Sequence, residues 1–186
     1  MRRGITTLAL CFAILPTVTK AQAPAAGAAA GTPAPPPATK LEAFKPAAGS
    51  VTTMGYSDLG RENNIEVDVR EMRDAKGLTA RGLVVQVTQS EYREERAFVD
   101  ADEIPELIKG IDALLGVTTN PTSFENFEVR YSTKGDLQIT AFNSSGKIKY
   151  AVETGRIAKA QVFADADAIK KLRAMFVAAQ QKLAAP

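Results

Sequence analysis

Histidine is absent from all 186 residues, and Cys11 is the single cysteine. The side chains left for chemistry are therefore carboxylates, lysines, hydroxyls and phenols. Imidazole acid–base catalysis, thiolate nucleophiles, Ser-His-Asp triads and zinc or copper sites with their usual ligands need residue types that are missing beyond position 11. The densest carboxylates come as two Asp-x-Asp pairs, Asp100-Ala101-Asp102 and Asp165-Ala166-Asp167. A calcium loop would continue with a further Asp-Gly and a distal Glu, which neither copy has. No catalytic residue, metal or cofactor is expected. Each pair instead stands directly before an apolar helical pattern. A carboxylate there accepts free backbone N–H groups at the favourable end of the helix dipole, worth about 0.5–2 kcal/mol. On this reading Asp102 and Asp167, with Asp100 and Asp165 beside them, are structural helix caps. Pro105 favours Asp102 over Asp100, because the missing N–H of a proline is harmless only in the first turn.

Paired carboxylates for glycoside hydrolysis can also be drawn from Glu91, Glu94, Glu95 and Asp100. The alternating charges of Glu91-Tyr92-Arg93-Glu94-Glu95-Arg96 read better as a solvated hairpin rim that blunts a sheet edge. Asn143-Ser144-Ser145-Gly146-Lys147 contains a Gly-Lys pair without P-loop spacing and reads as a hairpin turn. Two phenylalanines complete the candidates. Phe124 lies in the irregular stretch 118–127, and Phe142 falls on the polar side of its strand. Both are candidate partner contacts, with core filling as the competing role.

These residues are positioned by a plan that occurs twice. Ile65, Val67 and Val69 alternate with polar residues, as do Leu83, Val85 and Val87 after a turn at 75–77. A shorter run ends at Ala97-Phe98, and Val51–Tyr56 supplies a first strand before a turn at 57–60. Ile104, Leu107, Ile108, Ile111 and Leu114 then follow helical spacing, closed by Gly116 as a left-handed cap. In the second half Phe127–Tyr131, Leu137–Ala141, Ile148–Val152 and Ala158–Phe163 alternate, followed by a helix facing inward through Ile169, Leu172, Phe176 and Ala179.

At an offset of 65, Val85, Val87, Leu107 and Ile111 meet Tyr150, Val152, Leu172 and Phe176; at 72, Ile65, Val67 and Val69 meet Leu137, Ile139 and Ala141. The predicted fold class is α+β: a duplicated ββββα unit, residues 51–116 and 124–184, with antiparallel sheet packed on two helices in pseudo-twofold arrangement. One large sheet and two smaller ones remain open alternatives.

The front of the chain reads differently. Met1-Arg2-Arg3, the apolar stretch from Ile5 to Leu15, Pro16 and Ala21-Gln22-Ala23 have the order of a secretory signal cut after Ala23. Residues 24–49 are mostly Ala, Pro, Gly and Thr, too poor in large apolar groups for a core, and are expected to form a disordered tether. Residues 50–186 form a single domain without an apolar run of about 18 residues, the length that spans a bilayer. Cleavage would remove Arg2, Arg3 and Lys20, taking the basic count from 23 to 20 against 21 acids, a net charge of −1. Strong attraction to nucleic acid or anionic lipid is then absent.

A twice-repeated ββββα order resembles the topology of the PUR-repeat and Whirly single-strand-binding proteins. That resemblance implies a sheet surface for single-stranded nucleic acid, but it is one of element order alone, and the outward residues here are mixed in charge. The expectation is an exported, periplasmic or secreted, non-catalytic binding module for a protein or other envelope ligand. A single-stranded nucleic-acid binder is the alternative, and a carboxylate-dependent hydrolase the third reading.

Overall fold

The computed structural model describes residues 36–184; the expected signal at 1–23 and tether residues 24–35 lie outside that range. Each ββββα unit forms its own antiparallel sheet, so the alternative left open by the sequence resolves to two sheets of four strands. The first runs β1 (Thr52–Glu62), β2 (Ile65–Asp74), β3 (Thr79–Ser90), β4 (Arg93–Asp100) in that order, followed by α2 (Ile104–Leu115). The second runs β5 (Glu128–Ser132), β6 (Gln138–Ser144), β7 (Lys147–Thr154), β8 (Ala160–Ala164), followed by α3 (Ala166–Ala184). A short α1 (Lys40–Ala43) precedes them.

The alternating residues face one shared core. Ile65, Val67, Leu83, Val85, Val87, Ala97 and Val99 of the first sheet, and Ile139, Ala141, Tyr150 and Val152 of the second, are buried with Leu107, Ile111, Leu172 and Phe176 of the helices. Every pair related by the offsets of 65 and 72 is buried in both units. The ladders, however, do not keep those offsets. Val85 pairs with Val67 and Ala97, whereas Tyr150 pairs with Ala141 and Ala164 rather than with Ile139 and Val162. Each ladder has slipped by two residues. Because side chains alternate with period two, this step changes partners but leaves the same faces buried.

Three local expectations are corrected. First, β1 continues through the expected turn at 57–60. Asp58 accepts the Gly60 N–H at 2.7 Å, Gly60 takes φ 128°, and the chain absorbs this bend as a bulge before turning at Asn63, φ 53°. Second, α2 has no side-chain cap: its N-cap is Glu103, which makes no capping hydrogen bond. Gly116 ends α2 at φ −83°, so the left-handed cap is also absent. Third, the end of the stretch expected to be tether is helical. Thr39-x-x-Glu42 forms a capping box, with the Glu42 N–H donating to Thr39 Oγ1 at 3.1 Å and the Thr39 N–H to Glu42 Oε2 at 3.1 Å.

This segment is held by both units. Asp100, at the end of β4, accepts the N–H groups of Lys40 at 2.9 Å and Leu41 at 3.4 Å. Buried Leu41 lies over Gly82, where an added Cβ would come within 2.8 Å of Leu41 Cδ1. From the second unit, Arg156 reaches Glu42 at 3.4 Å, Asp136 at 2.6 Å and the Pro36 carbonyl at 2.6 Å.

Candidate functional site: an aromatic cleft on the second sheet

The face of the second sheet away from the core is read from the ladder register. Cross-strand rows run Glu128, Phe142, Lys149; then Arg130, Thr140, Ala151, Phe163; then Ser132, Gln138, Glu153, Gln161. Because Ala160, Val162 and Ala164 turn inward on β8, Phe163 turns outward, where it is 68% exposed. Its ring meets that of Phe142 edge to face, with centroids 6.0 Å apart and planes at 67°. Such a pair gains about 0.5–1.5 kcal/mol beyond its area.

The two rings form the wall between two grooves. One, about 490 Å³, is lined by Asn63, Ser144, Lys149, Ala164 and Asp165 with both phenylalanines. The other, about 270 Å³, lies over Arg130, Thr140, Ala151, Glu153 and Gln161. Both charges are present on this face: Arg130 pairs with Glu128 at 3.0 Å, and Lys159 with Glu153 at 2.5 Å. Lys149 makes no ion pair among the described residues. The surface thus offers aromatic contact area, hydrogen-bonding groups and one lysine free for an anionic group, without a nucleophile–base pair. Among the described residues no three carboxylates converge as a cation site requires.

Two of the four aspartates cap helices and two form ion pairs. Asp165 is a cap of α3, accepting the Ala168 N–H at 2.9 Å. Asp167 instead pairs with Lys170 at 2.9 Å; that hydrogen bond holds the Asp167 carboxyl below the usual range and pushes the Lys170 ammonium up. Asp100 caps the distant α1 rather than α2. Asp102, expected to cap α2, pairs with Lys40 at 2.7 Å, which lowers its carboxyl and raises the Lys40 ammonium. α2 goes without a side-chain cap while both carboxylates are engaged on the α1 segment, Asp100 by the Lys40 and Leu41 N–H groups and Asp102 by Lys40 Nζ; the Glu103 N–H donates to the Asp100 carbonyl at 2.9 Å.

Neither candidate phenylalanine fills the core. Phe142 stands in the cleft, and Phe124, 77% exposed, lies in the connecting loop and lines neither groove. Phe163 and Arg156 were not singled out from the sequence. The outward position of Phe163 follows from the alternation of Ala160, Val162 and Ala164, and the Thr39-x-x-Glu42 spacing announces α1. Nothing local announces Arg156, whose partners lie at 36, 42 and 136.

No protein-family model matches this sequence, and no curated protein is detectably similar to it.

Proposed function

We propose that this chain is an exported, non-catalytic binding module whose contact surface is the outer face of the second sheet. The single observation that carries the reading is Phe163, a large aromatic side chain held against Phe142 between two grooves and left 68% exposed. A lone exposed ring needs no explanation, but two rings in contact between two grooves on a rigid sheet face make a contiguous patch of the kind that marks an interaction surface. Export, to the periplasm or outside the cell, rests on the basic n-region, the apolar stretch and the Ala21-Gln22-Ala23 site. The ligand is a protein or another envelope component. Burial of the offset-related positions in both units supports an internal duplication, and the slipped ladders set its limit.

The test is retention on the immobilised chain from residue 24 onward. Envelope extract passed over wild type, Phe163→Ser, Phe142→Ser and, as a control, Tyr92→Ser should yield a ligand that both cleft variants lose and the control keeps. Tyr92 is 96% exposed at a hairpin tip of the other sheet. Equal retention by Phe163→Ser, or no retained protein, glycan or lipid on wild type, overturns the proposal.

One observation favours the alternative of single-stranded nucleic acid: the exposed ring of Phe163 and the half-buried ring of Phe142 on the sheet of a ββββα unit, near Lys149, which makes no ion pair among the described residues, are suited to stacking bases. Glu128, Glu153 and Asp165 on or beside the same face weaken it, because phosphate binding needs a net positive path. No retention of oligonucleotides at low salt removes this reading. The carboxylate-dependent hydrolase loses its candidate aspartates, since Asp100, Asp102, Asp165 and Asp167 are each engaged in a cap or an ion pair.

A further inference from the structure

We infer that the edge of β1, unpaired among the described residues, docks the β1 edge of a second copy of this chain, joining two first sheets into one continuous sheet. Strands β1, β4, β5 and β8 are the sheet edges. Three of them are blunted. β4 opens with Arg93, Glu94, Glu95 and Arg96, β5 has five residues including Glu128 and Arg130, and β8 has five residues packed against β3.

The first half of β1 is the exception, ahead of the bulge at Asp58–Gly60 and the charges of Arg61 and Glu62. The strand has eleven residues, and positions 51–57, Val-Thr-Thr-Met-Gly-Tyr-Ser, contain no charge and no proline. Val51, Met54 and Tyr56 are 75%, 52% and 77% exposed. The Val51 carbonyl accepts the Ala75 N–H at 3.2 Å, which turns Val51 toward β2. By antiparallel alternation, the N–H and C=O groups of Thr52, Met54 and Tyr56 then point away from the sheet. Unpaired backbone groups flanked by apolar side chains are a template for another strand.

A second copy fits because the segment complements itself. In an antiparallel pairing with its twofold at Met54 or Gly55, Asp58, Arg61 and Glu62 fall opposite positions within 46–52, all uncharged, so no like charges meet. The twofold at Gly55 sets Met54 of one copy against Tyr56 of the other, a favourable sulfur–aromatic pair. The inner face stays with its own helix, where Lys182 Nζ donates to Ser57 Oγ at 2.6 Å.

Sedimentation equilibrium of the chain from residue 24, loaded from about 1 to about 300 µM, tests this. Wild type should move from monomer to dimer mass across that range. Met54→Pro removes an N–H that points outward, so circular dichroism and melting should hold while the dimer dissociation constant rises at least about tenfold. Tyr56→Lys, which keeps every backbone group, should do the same and decides the matter should the proline disturb β1. A monomer at every concentration overturns the inference, as does a dimer that survives both variants. Phe163→Ser, on the other sheet, should leave the mass unchanged, which separates this test from that of the cleft.

Discussion

The carboxylate of Asp100 accepts the backbone N–H of Lys40 through both oxygens, at 2.9 and 3.0 Å, across a separation of 60 residues. A buried side chain at the end of β4 thereby caps a helix to which it is not adjacent in the chain. Asp100→Ala should leave the α1 N–H groups without that acceptor and cost about 1–3 kcal/mol in urea unfolding. Asp100→Asn, which keeps one oxygen, should cost less. Hydrogen exchange at Lys40 and Leu41 should speed up in the alanine variant before any amide of β3 does.

Gly110 reverses a familiar rule. Glycine inside a helix normally gives way to alanine with a gain of about 1 kcal/mol. Here an added Cβ would stand 2.3 Å from Tyr131 Cδ2, so Gly110→Ala should destabilise by about 1–3 kcal/mol. In a Tyr131→Ala background the same substitution should become neutral or stabilising. Thermal melts of the four proteins check the cycle.

The two helices are joined by Arg173 and Asp112, with Arg173 Nη2 at 2.8 Å from Asp112 Oδ2. The hydrogen bond from Arg173 holds the Asp112 carboxyl below its ordinary value. A lowered folded-state value means the contribution is complete above the unfolded carboxyl's titration, about pH 4, and is lost as pH falls through the lower folded value. Urea unfolding should therefore separate wild type from Asp112→Asn at pH 6 to 7, with the gap closing toward pH 2.

Phe163 and Phe176, both of the C-terminal unit, should part company. Phe176 is 1% exposed, and Phe176→Ala should cost about 3–5 kcal/mol. Phe163→Ala should stay within about 1 kcal/mol, because the ring is mostly in water already. Chemical denaturation of both variants would show whether Phe163 is retained for stability or for contact.

Much of the fold was legible because period two and period 3.6 are local signals. Ile65-x-Val67-x-Val69 and the stripe from Ile104 to Leu114 marked their elements and their buried faces alike. What escaped depended on distant partners. The role of Asp100 required α1 to come back against β4, and the bulge at Gly60 kept β1 running where Ser57-Asp58-Leu59-Gly60 reads as a turn. Of the cleft, Phe142 was visible as an apolar residue in a polar register. Phe163 was hidden in an alternation of small residues that marks the inward side only once the strand is placed.

The two-residue slip between the units also shows which displacement these sheets tolerate. Sliding one strand along its neighbour by a single position would exchange wet and dry surfaces along the whole strand, whereas a slide of two merely trades one neighbour for the next. Loop length escapes that parity, because an added residue can stay in the turn: five residues lie between Arg73 and Thr79, two between the corresponding Ser144 and Lys147, and neither ladder is bulged.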